Sequence, residues 1–145
     1  MIAHLKIRSL SEDKKKIIDS FILNEWTRYN QENKYVYKEK EFRYVAYLKG
    51  KIAGYIFGNT NGGVAYLDDI IVSHKYRGKG IGKILLKKFE EIARKNKCHA
   101  YLLATRDKHS GAIVFYKKEG YAVEAKLQNM YWNVNEYYMV KRLKK

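Results

Sequence analysis

The sequence predicts an α/β protein of the α+β kind, a single domain whose mixed, mostly antiparallel sheet holds a central parallel strand pair and is flanked by helices. An apolar run at 67–72, a glycine-rich segment and an amphipathic helical pattern follow one another. A second apolar run, 99–104, comes after that helix and must lie parallel to the first if the helix crosses over between them. Segments joined by short glycine turns predict antiparallel neighbours. A length of 145 residues matches one domain, here 1–145.

The N-terminal third predicts one strand and one helix. Leu5 and Ile7 alternate with basic residues, which predicts a first strand. Ser11, followed by two acidic residues, is typical of a helix N-cap. Apolar residues at three- and four-residue spacing then predict a helix that ends near Tyr29. Between 30 and 40 the pattern fits a short helix or a loop.

The rest of the chain predicts three strands, a helix, a strand, a second helix and two final strands. The predicted strands cover 41–48, 51–58, 67–72, 99–104, 121–127 and 136–143, and the helices start near 81 and cover 110–118. On the first of these helices, Glu90 and Arg94, like Glu91 and Lys95, are spaced four residues apart. We assign both pairs to the solvent-facing side of that helix.

Composition limits the possible partners. The 30 Lys and Arg residues exceed the 15 Asp and Glu residues, which gives a net charge of +15 and attracts polyanions. The lysines are spread along the whole chain, so a solvated basic surface is favoured over a specific nucleic-acid site. No apolar run has the ~18 residues of a membrane span, and no signal peptide is evident. Cys98 is the only cysteine, and the histidines show no ligand spacing with it, so we expect a cytoplasmic protein without membrane contact, disulfide or metal.

The glycine-rich segment suits a phosphate ligand. A Walker A loop and a dinucleotide fingerprint both fail, because Lys83 stands where each requires a glycine. The pattern that remains is Arg-x-x-Gly-x-Gly at Arg77, Gly80 and Gly82, just before a helix. Free backbone N–H groups and the positive end of the helix dipole would meet a phosphate there. The alternative is a glycine-rich turn with ordinary surface lysines.

Two motifs resemble a known family. The loop from Arg77 to Gly82 resembles the acetyl-CoA loop of the GNAT superfamily of N-acetyltransferases. The segment His109-x-x-Ala112-x-x-Phe-Tyr116-x-x-x-Gly-Tyr121 is similar to the family's second signature, Asn-x-x-Ala-x-x-Phe-Tyr-x-x-x-Gly-Phe. A histidine replaces the asparagine and a tyrosine the last phenylalanine. The resemblance covers roughly residues 52–143.

The resemblance implies that acetyl-CoA is the acetyl donor and that a primary amine is the acceptor, on a small molecule, a polyamine or a protein. In the family, two parallel strands splay apart and the pantetheine arm lies in the gap. The implied cofactor-binding residues are Ile70, Ile71, Val72, Arg77, Gly78, Lys79, Gly80, Ile81, Gly82, Lys83, His109 and Ala112. Family members are often dimers, so a homodimer is one expected partner.

The resemblance also implies two catalytic residues. Tyr116 is expected to meet the departing sulfur, as proton donor or hydrogen-bond donor; the alternative is an aromatic residue packed in the core. The order Tyr-Leu-Asp68-Asp69 is similar to the Tyr-Leu-Glu-Asp of diamine acetyltransferases, whose first acid is the base. By alternation Asp68 and Asp69 lie on opposite faces of the strand. The alternative is a pair of salt-bridged acids at a strand end.

Trp26, Tyr29 and Asp69 are the expected acceptor-site residues. Tyr131 and Trp132 are a second aromatic pair that could border this site, and core or rim packing is the alternative for both aromatic pairs. Because Cys98 lies outside both motifs, we expect direct transfer without a covalent enzyme intermediate. The rival hypothesis is a non-catalytic module that binds acyl-CoA or nucleic acid.

Overall fold

The computed structural model describes residues 5–106 and 110–143 of the chain. The residues group into two compact units, Met1–Tyr37 and Lys38–Lys145. The prediction of a single domain therefore stays a prediction. No helix among the described residues is both long and apolar enough to cross a membrane.

The N-terminal unit consists of one helix preceded by an irregular segment. Residues 5–10 have no regular secondary structure, so the predicted strand around Leu5 and Ile7 is wrong. A strand needs a neighbour for its backbone hydrogen bonds, and none of the described strand pairings includes these residues. A 3-10 turn, Glu12–Lys14, leads into helix α1, Lys15–Glu32. Ser11 precedes the turn, but its side chain makes no capping hydrogen bond.

The C-terminal unit confirms the predicted fold class. Its strands are β1 (Lys40–Leu48), β2 (Lys51–Asn61), β3 (Val64–Val72), β4 (Ala100–Arg106), β5 (Ala122–Leu127) and β6 (Glu136–Arg142). Its helices are α2 (Ile81–Lys95) and α3 (Ser110–Lys118). The strands form one sheet in the order β1-β2-β3-β4-β6-β5. Strands β3 and β4 are parallel, and the other neighbours are antiparallel.

Helix α2 provides the core on one face of the sheet. Leu85, Leu86 and Phe89 are buried and belong to the same apolar cluster as Ile56 of β2 and Leu103 of β4. Fully burying each such side chain contributes about 1.5–3 kcal/mol to stability. This packing fixes the N-terminal end of α2 beside the C-terminal end of β3, where the glycine loop connects them.

Glu90 corrects one prediction about α2. Its carboxylate is only 8 % exposed and accepts hydrogen bonds from the Lys141 ammonium at 2.8 Å and the Tyr121 hydroxyl at 3.3 Å. The assignment of Glu90 to the solvent-facing side is therefore wrong, because a cationic partner from β6 lets it lie at the edge of the core. The predicted pair of Glu91 and Lys95 is present at 2.8 Å.

The parallel strands β3 and β4 separate halfway along their length. Their pairing covers only Val64 to Leu67 of β3 and Ala100 to Leu103 of β4. Both strands continue beyond this point, to Val72 and Arg106, without pairing with each other. The second half of β3 therefore has a free backbone edge on its β4 side.

Candidate active site

The glycine loop adopts the conformation that its glycines permit. Gly80 is the N-cap residue of α2 with φ +78°, and Gly78 has φ +74°, a region that residues with a Cβ rarely adopt. A Cβ added at either position would meet no atom within 4 Å, so the loop faces open space. The first N–H groups of α2 have no acceptor within the helix, and they carry the positive end of its dipole. The loop thus fits the pyrophosphate of a CoA molecule.

Three basic side chains surround the loop in different ways. The Nε atom of Arg77 donates a hydrogen bond to the Val72 carbonyl at 3.2 Å, which ties the loop to the end of β3. Lys83 forms an ion pair with Glu119 at 3.2 Å. Lys79 lies over the ring of Tyr76, 5.6 Å from its centroid. Arg77 keeps further N–H donors for a ligand, because a guanidinium has five.

A cleft of about 850 Å³ joins the loop, the free edge of β3 and helix α3. Ten of the twelve predicted cofactor-binding residues line it: Ile70, Ile71, Val72, Arg77, Gly78, Gly80, Ile81, Gly82, Lys83 and Ala112. Lys79 does not line this cleft, and His109 lies outside the described residues. The lining also contains Phe115, a position of the second motif that was not predicted to bind the cofactor, and Tyr76 and Gly111, which each lie next to a motif position.

Tyr116 lines the same cleft from α3. Its ring is only 6 % exposed and packs against Tyr121, with centroids 5.8 Å apart, and against Phe115 at 5.2 Å. Burial raises the pKa of Tyr116 to about 12. Within residues 5–106 and 110–143, no hydrogen bond to the Tyr116 hydroxyl is present, so the group is available to a ligand in the cleft. The residue is both a packed aromatic and a wall of the cleft.

A β-bulge places both aspartates on one face of the sheet. Asp69 pairs with Phe57 and Leu67 pairs with Gly58, which leaves Asp68 as an extra residue in β3. The Asn59 side chain of β2 donates a hydrogen bond to Asp68 at 3.5 Å. Side chains alternate along β2, and Ile56 is fully buried beneath α2. Phe57 and Asn59 therefore both face away from that helix. The predicted assignment of the two acids to opposite faces is therefore wrong.

Acidic side chains surround Asp68 even though the whole protein is strongly basic. Partial burial raises the pKa of Asp68, and the charges of Asp69, Glu39 and Glu41 raise it further, while the Asn59 hydrogen bond lowers it. A carboxylate with a raised pKa is a stronger base than an ordinary aspartate. The pKa of Tyr66, on the same strand, is also raised, mainly by burial.

Trp26 and Tyr29 belong to the N-terminal unit. Their rings meet edge to face with centroids 5.5 Å apart, and Tyr29 also contacts Tyr35 at 6.4 Å. Trp26 lines a groove of about 820 Å³ within this unit, together with Ile22 and other residues of α1. The assignment of Trp26 and Tyr29 to the acceptor site stays a prediction.

Comparison with known proteins gives the family. The model of the acetyltransferase (GNAT) family matches residues 8–121, well over half of the chain. The chain belongs to the GNAT family. Among solved structures, an acetyltransferase from Bacillus cereus ATCC 14579 superposes with a TM-score of 0.80 at 25% identity, over 98% of this chain and 100% of that one. A candidate streptothricin acetyltransferase from Bacillus anthracis, solved with acetyl coenzyme A, gives 0.68 at 27% identity, over 77% and 68% of the two chains.

Curated relatives of this GNAT protein have different named activities. Thialysine N-epsilon-acetyltransferase of Sus scrofa is 38% identical over 66 residues, which are 46% of this chain and 39% of the relative. Streptothricin acetyltransferase A of Bacillus subtilis is 34% identical over 100 residues, 68% of this chain and 58% of the relative. The matches thus span about two fifths to three fifths of the length of these relatives.

Proposed function

We propose that this GNAT protein transfers the acetyl group of acetyl-CoA directly to a primary amine. The observation that carries the proposal is the single cleft in which the glycine loop, the free edge of β3 and Tyr116 meet. Relatives named for thialysine and streptothricin support an amine acceptor. A structural neighbour that was solved with acetyl coenzyme A supports the donor.

The donor would lie along the cleft. The backbone N–H groups at the start of α2, with Arg77 beside them, would hold the pyrophosphate. The backbone of Ile70, Ile71 and Val72 would form hydrogen bonds with the pantetheine amides, because β4 no longer pairs with these residues. The pantetheine would thus take the place of a neighbouring strand. This arrangement directs the thioester toward the point where β3 and β4 separate. Lys79 and His109 stay predicted contacts of the cofactor.

The reaction forms one bond and breaks one. The neutral amine nitrogen attacks the thioester carbonyl carbon, the C–N bond forms, the C–S bond breaks, and the sulfur leaves as a thiolate. Asp68, directly or through water, would accept the proton that the amine loses. Cys98 is buried, and burial raises the pKa of its thiol, so it does not serve as a nucleophile. This supports direct transfer.

Tyr116 would act on the departing sulfur by donating a hydrogen bond. A pKa of about 12 exceeds that of an ordinary thiol, near 8.5, by about 3.5 units. Complete proton transfer from the phenol to the thiolate would therefore be uphill by roughly 5 kcal/mol. A hydrogen bond requires no such transfer and strengthens as negative charge develops on the sulfur. The proton that ends on CoA then comes from solvent.

A small-molecule amine is the favoured acceptor class, because two relatives are named for thialysine and streptothricin. The acids around Asp68 would attract an ammonium group against the overall charge of +15. A protein amine and a homodimer stay predictions, as does the cytoplasmic location.

Two measurements test this function. CoA should raise the melting temperature, and Arg77→Gln should reduce the shift, whereas Arg8→Gln, which removes the same charge from the N-terminal segment, should not. Release of free thiol from acetyl-CoA should then accompany acetylation of at least one amine in a panel. No thermal shift at millimolar CoA would refute the donor site. A full shift with no turnover on any amine would favour the non-catalytic module.

A further inference from the structure

Arg106 is a cation that the proposed reaction does not use. It is the last residue of β4 and lies beside the loop that connects β5 to β6. Its guanidinium carbon is 5.0 Å from the ring centroid of Trp132 and 5.7 Å from that of Tyr131. Two aromatic rings of one loop therefore hold the guanidinium in place.

The hydrogen-bonding capacity of Arg106 is not satisfied by the described part of the chain. Its Nε atom is buried without a hydrogen-bond partner, and no ion pair joins it to a carboxylate in residues 5–106 or 110–143. Glu136 is its backbone partner on β6, yet these two side chains form no ion pair within 4.0 Å. A buried N–H donor without a partner is unfavourable, and aromatic rings do not replace an acceptor oxygen.

The loop beside Arg106 is closed and strained. Asn129, Trp132 and Asn133 have φ values of 51°, 55° and 57°, in the left-handed region. The Met130 N–H donates to the Val134 carbonyl at 2.9 Å, which closes the loop on itself. Trp132 is nevertheless 79 % exposed. Such strain persists where the surroundings hold it, and it is common at ligand-binding sites.

Arg106 lies on the same face of the sheet as Asp68. Directly opposed residues of antiparallel strands share a face, so Arg106 faces the side of Glu136, and Ala104 the side of Tyr138. Leu67 of β3 and Leu103 of β4 are paired and buried on the α2 side, so by alternation Arg106 lies on the opposite face of the sheet. The β-bulge places Asp68 on that same face. Arg106 is also three residues beyond Leu103, where the pairing of β3 and β4 ends. An acidic group and a cation thus border the same opening.

We propose that Arg106 binds an anionic group of the acceptor, a carboxylate or a phosphate, so that the acceptor is an amine that also carries an acid. The planar guanidinium matches two oxygens of either anion. The acids around Asp68 would hold the ammonium end of the same molecule. The inference rests on the proposed acetyl transfer and names the substrate class of that site.

Matched pairs of amines test the inference. Lysine and cadaverine differ by a carboxylate, and glucosamine 6-phosphate and glucosamine differ by a phosphate. The wild type should have a kcat/KM about 10- to 100-fold higher for the acid-bearing member of one pair, in line with a charged hydrogen bond of about 1.5–3 kcal/mol. The pair that shows the preference identifies the anion.

Variants then assign the preference to Arg106. Arg106→Gln should remove the preference for the acid-bearing amine by raising its KM, while the KM of the amine without the acid stays unchanged. Arg106→Lys should restore part of the preference. Arg94→Gln, an exposed charge on α2, is the matched control. No preference in the wild type, or an equal loss on both members of the pair, would show that Arg106 only supports the loop and would overturn the proposal.

A binding measurement gives a second readout that does not depend on turnover. In a Trp26→Phe background, Trp132 is the remaining tryptophan. With the cleft saturated by CoA, inorganic phosphate and acetate are titrated separately while tryptophan emission is followed. A saturable change that disappears in Arg106→Gln supports the proposal even if none of the four amines is acetylated. If none of the four amines is acetylated and neither anion changes the emission, the proposal is overturned. The thermal shift with CoA, measured separately, shows whether the donor site itself has failed.

Discussion

Tyr116 combines a structural and a chemical role at the scale of a single residue. Its ring is buried against Tyr121 and Phe115, and its hydroxyl is available to the cleft. Tyr116→Phe keeps the ring, so the melting temperature and CoA affinity should stay within error of the wild type. Loss of one hydrogen bond to the leaving sulfur should lower kcat about 10²-fold with little change in KM.

The pH profile is an internal check on this prediction. Since the pKa of Tyr116 is about 12, the phenol stays protonated across the range in which acetyl transfer is normally measured. The wild type and Tyr116→Phe should therefore show parallel pH profiles between about pH 6 and pH 9. Full turnover in Tyr116→Phe would show that Tyr116 serves only in packing.

Asp68 should matter most for acceptors that are hard to deprotonate. An alkyl amine with a pKa of about 10.4 requires roughly 4.6 kcal/mol to become neutral at pH 7, whereas an α-amine with a pKa near 8 requires about 1.4 kcal/mol. Asp68→Asn should therefore reduce kcat/KM more for the alkyl amine, and more at low pH. Steady-state kinetics on both amines would measure the ratio. Equal losses on both would argue against a role as base.

The same variant has a defined effect on stability. The pKa of Asp68 is raised in the folded state, so folding binds a proton more tightly there, and ionisation of Asp68 opposes folding. Protonated Asp68 adds fully to the free energy of unfolding at pH values below its pKa in the unfolded chain. This contribution is lost as the pH rises through its pKa in the folded protein. Asp68→Asn should thus melt at or above the wild-type temperature at pH 7, with the difference vanishing near pH 3. Asp13→Asn is the control, and a lower melting temperature for Asp68→Asn at pH 7 would contradict the prediction.

At the scale of the elements, Lys141 connects α2, β6 and the end of α3. Its ammonium lies 2.8 Å from a carboxylate oxygen of Glu90 and 2.9 Å from the Glu119 carbonyl. Lys141→Met should lower the free energy of unfolding by about 2–3 kcal/mol, because it leaves a largely buried carboxylate without its main cation. Chemical denaturation would measure this loss.

A double variant separates charge from packing at this junction. Replacing Glu90 by Gln in addition to Lys141→Met removes the uncompensated charge, so part of the lost stability should return. Strictly additive losses would show that the ion pair contributes nothing and that the Lys141 side chain acts only through packing.

The elements also show what a sequence can reveal about this fold. Glycine turns, an amphipathic helix and two apolar runs are local signals, so the order of the elements and the cleft-forming loop were predictable. The strand predicted around Leu5 is absent, because alternation alone does not supply a neighbouring strand. The position of Glu90 was hidden for the same reason, since its partner Lys141 lies 51 residues away in sequence.

No local sequence pattern predicted the β-bulge in β3. Gly58 permits a very close approach, because a Cβ there would stand 2.2 Å from the Tyr66 carbonyl oxygen. Only the pairing with β2 shows that Asp68 is an extra residue, and the sharing of one face by both acids follows from it. Arg106 was missed because the rings that hold it come from a loop about 25 residues further along the chain.

At the scale of the whole molecule, charge is distributed unevenly. The chain carries +15, yet the charges of Asp69, Glu39 and Glu41 act on Asp68 and raise its pKa. The basic residues around the cleft thus attract the anionic donor, and the acids near the point where β3 and β4 separate attract the cationic amine.

The basic surface leads to a last prediction about nucleic acids. If the positive charge is a diffuse field, the protein should bind DNA at low salt without sequence preference, and raising the salt from 50 to 200 mM should weaken binding steeply through counterion release. Fluorescence anisotropy with two unrelated labelled duplexes would give the same affinity for each within error. CoA should weaken neither complex, because its pyrophosphate occupies the glycine loop rather than the spread lysines. Tight binding to one duplex at 200 mM salt, displaced by CoA, would instead show that the cleft itself recognises nucleic acid and would favour the binding-module hypothesis over acetyl transfer.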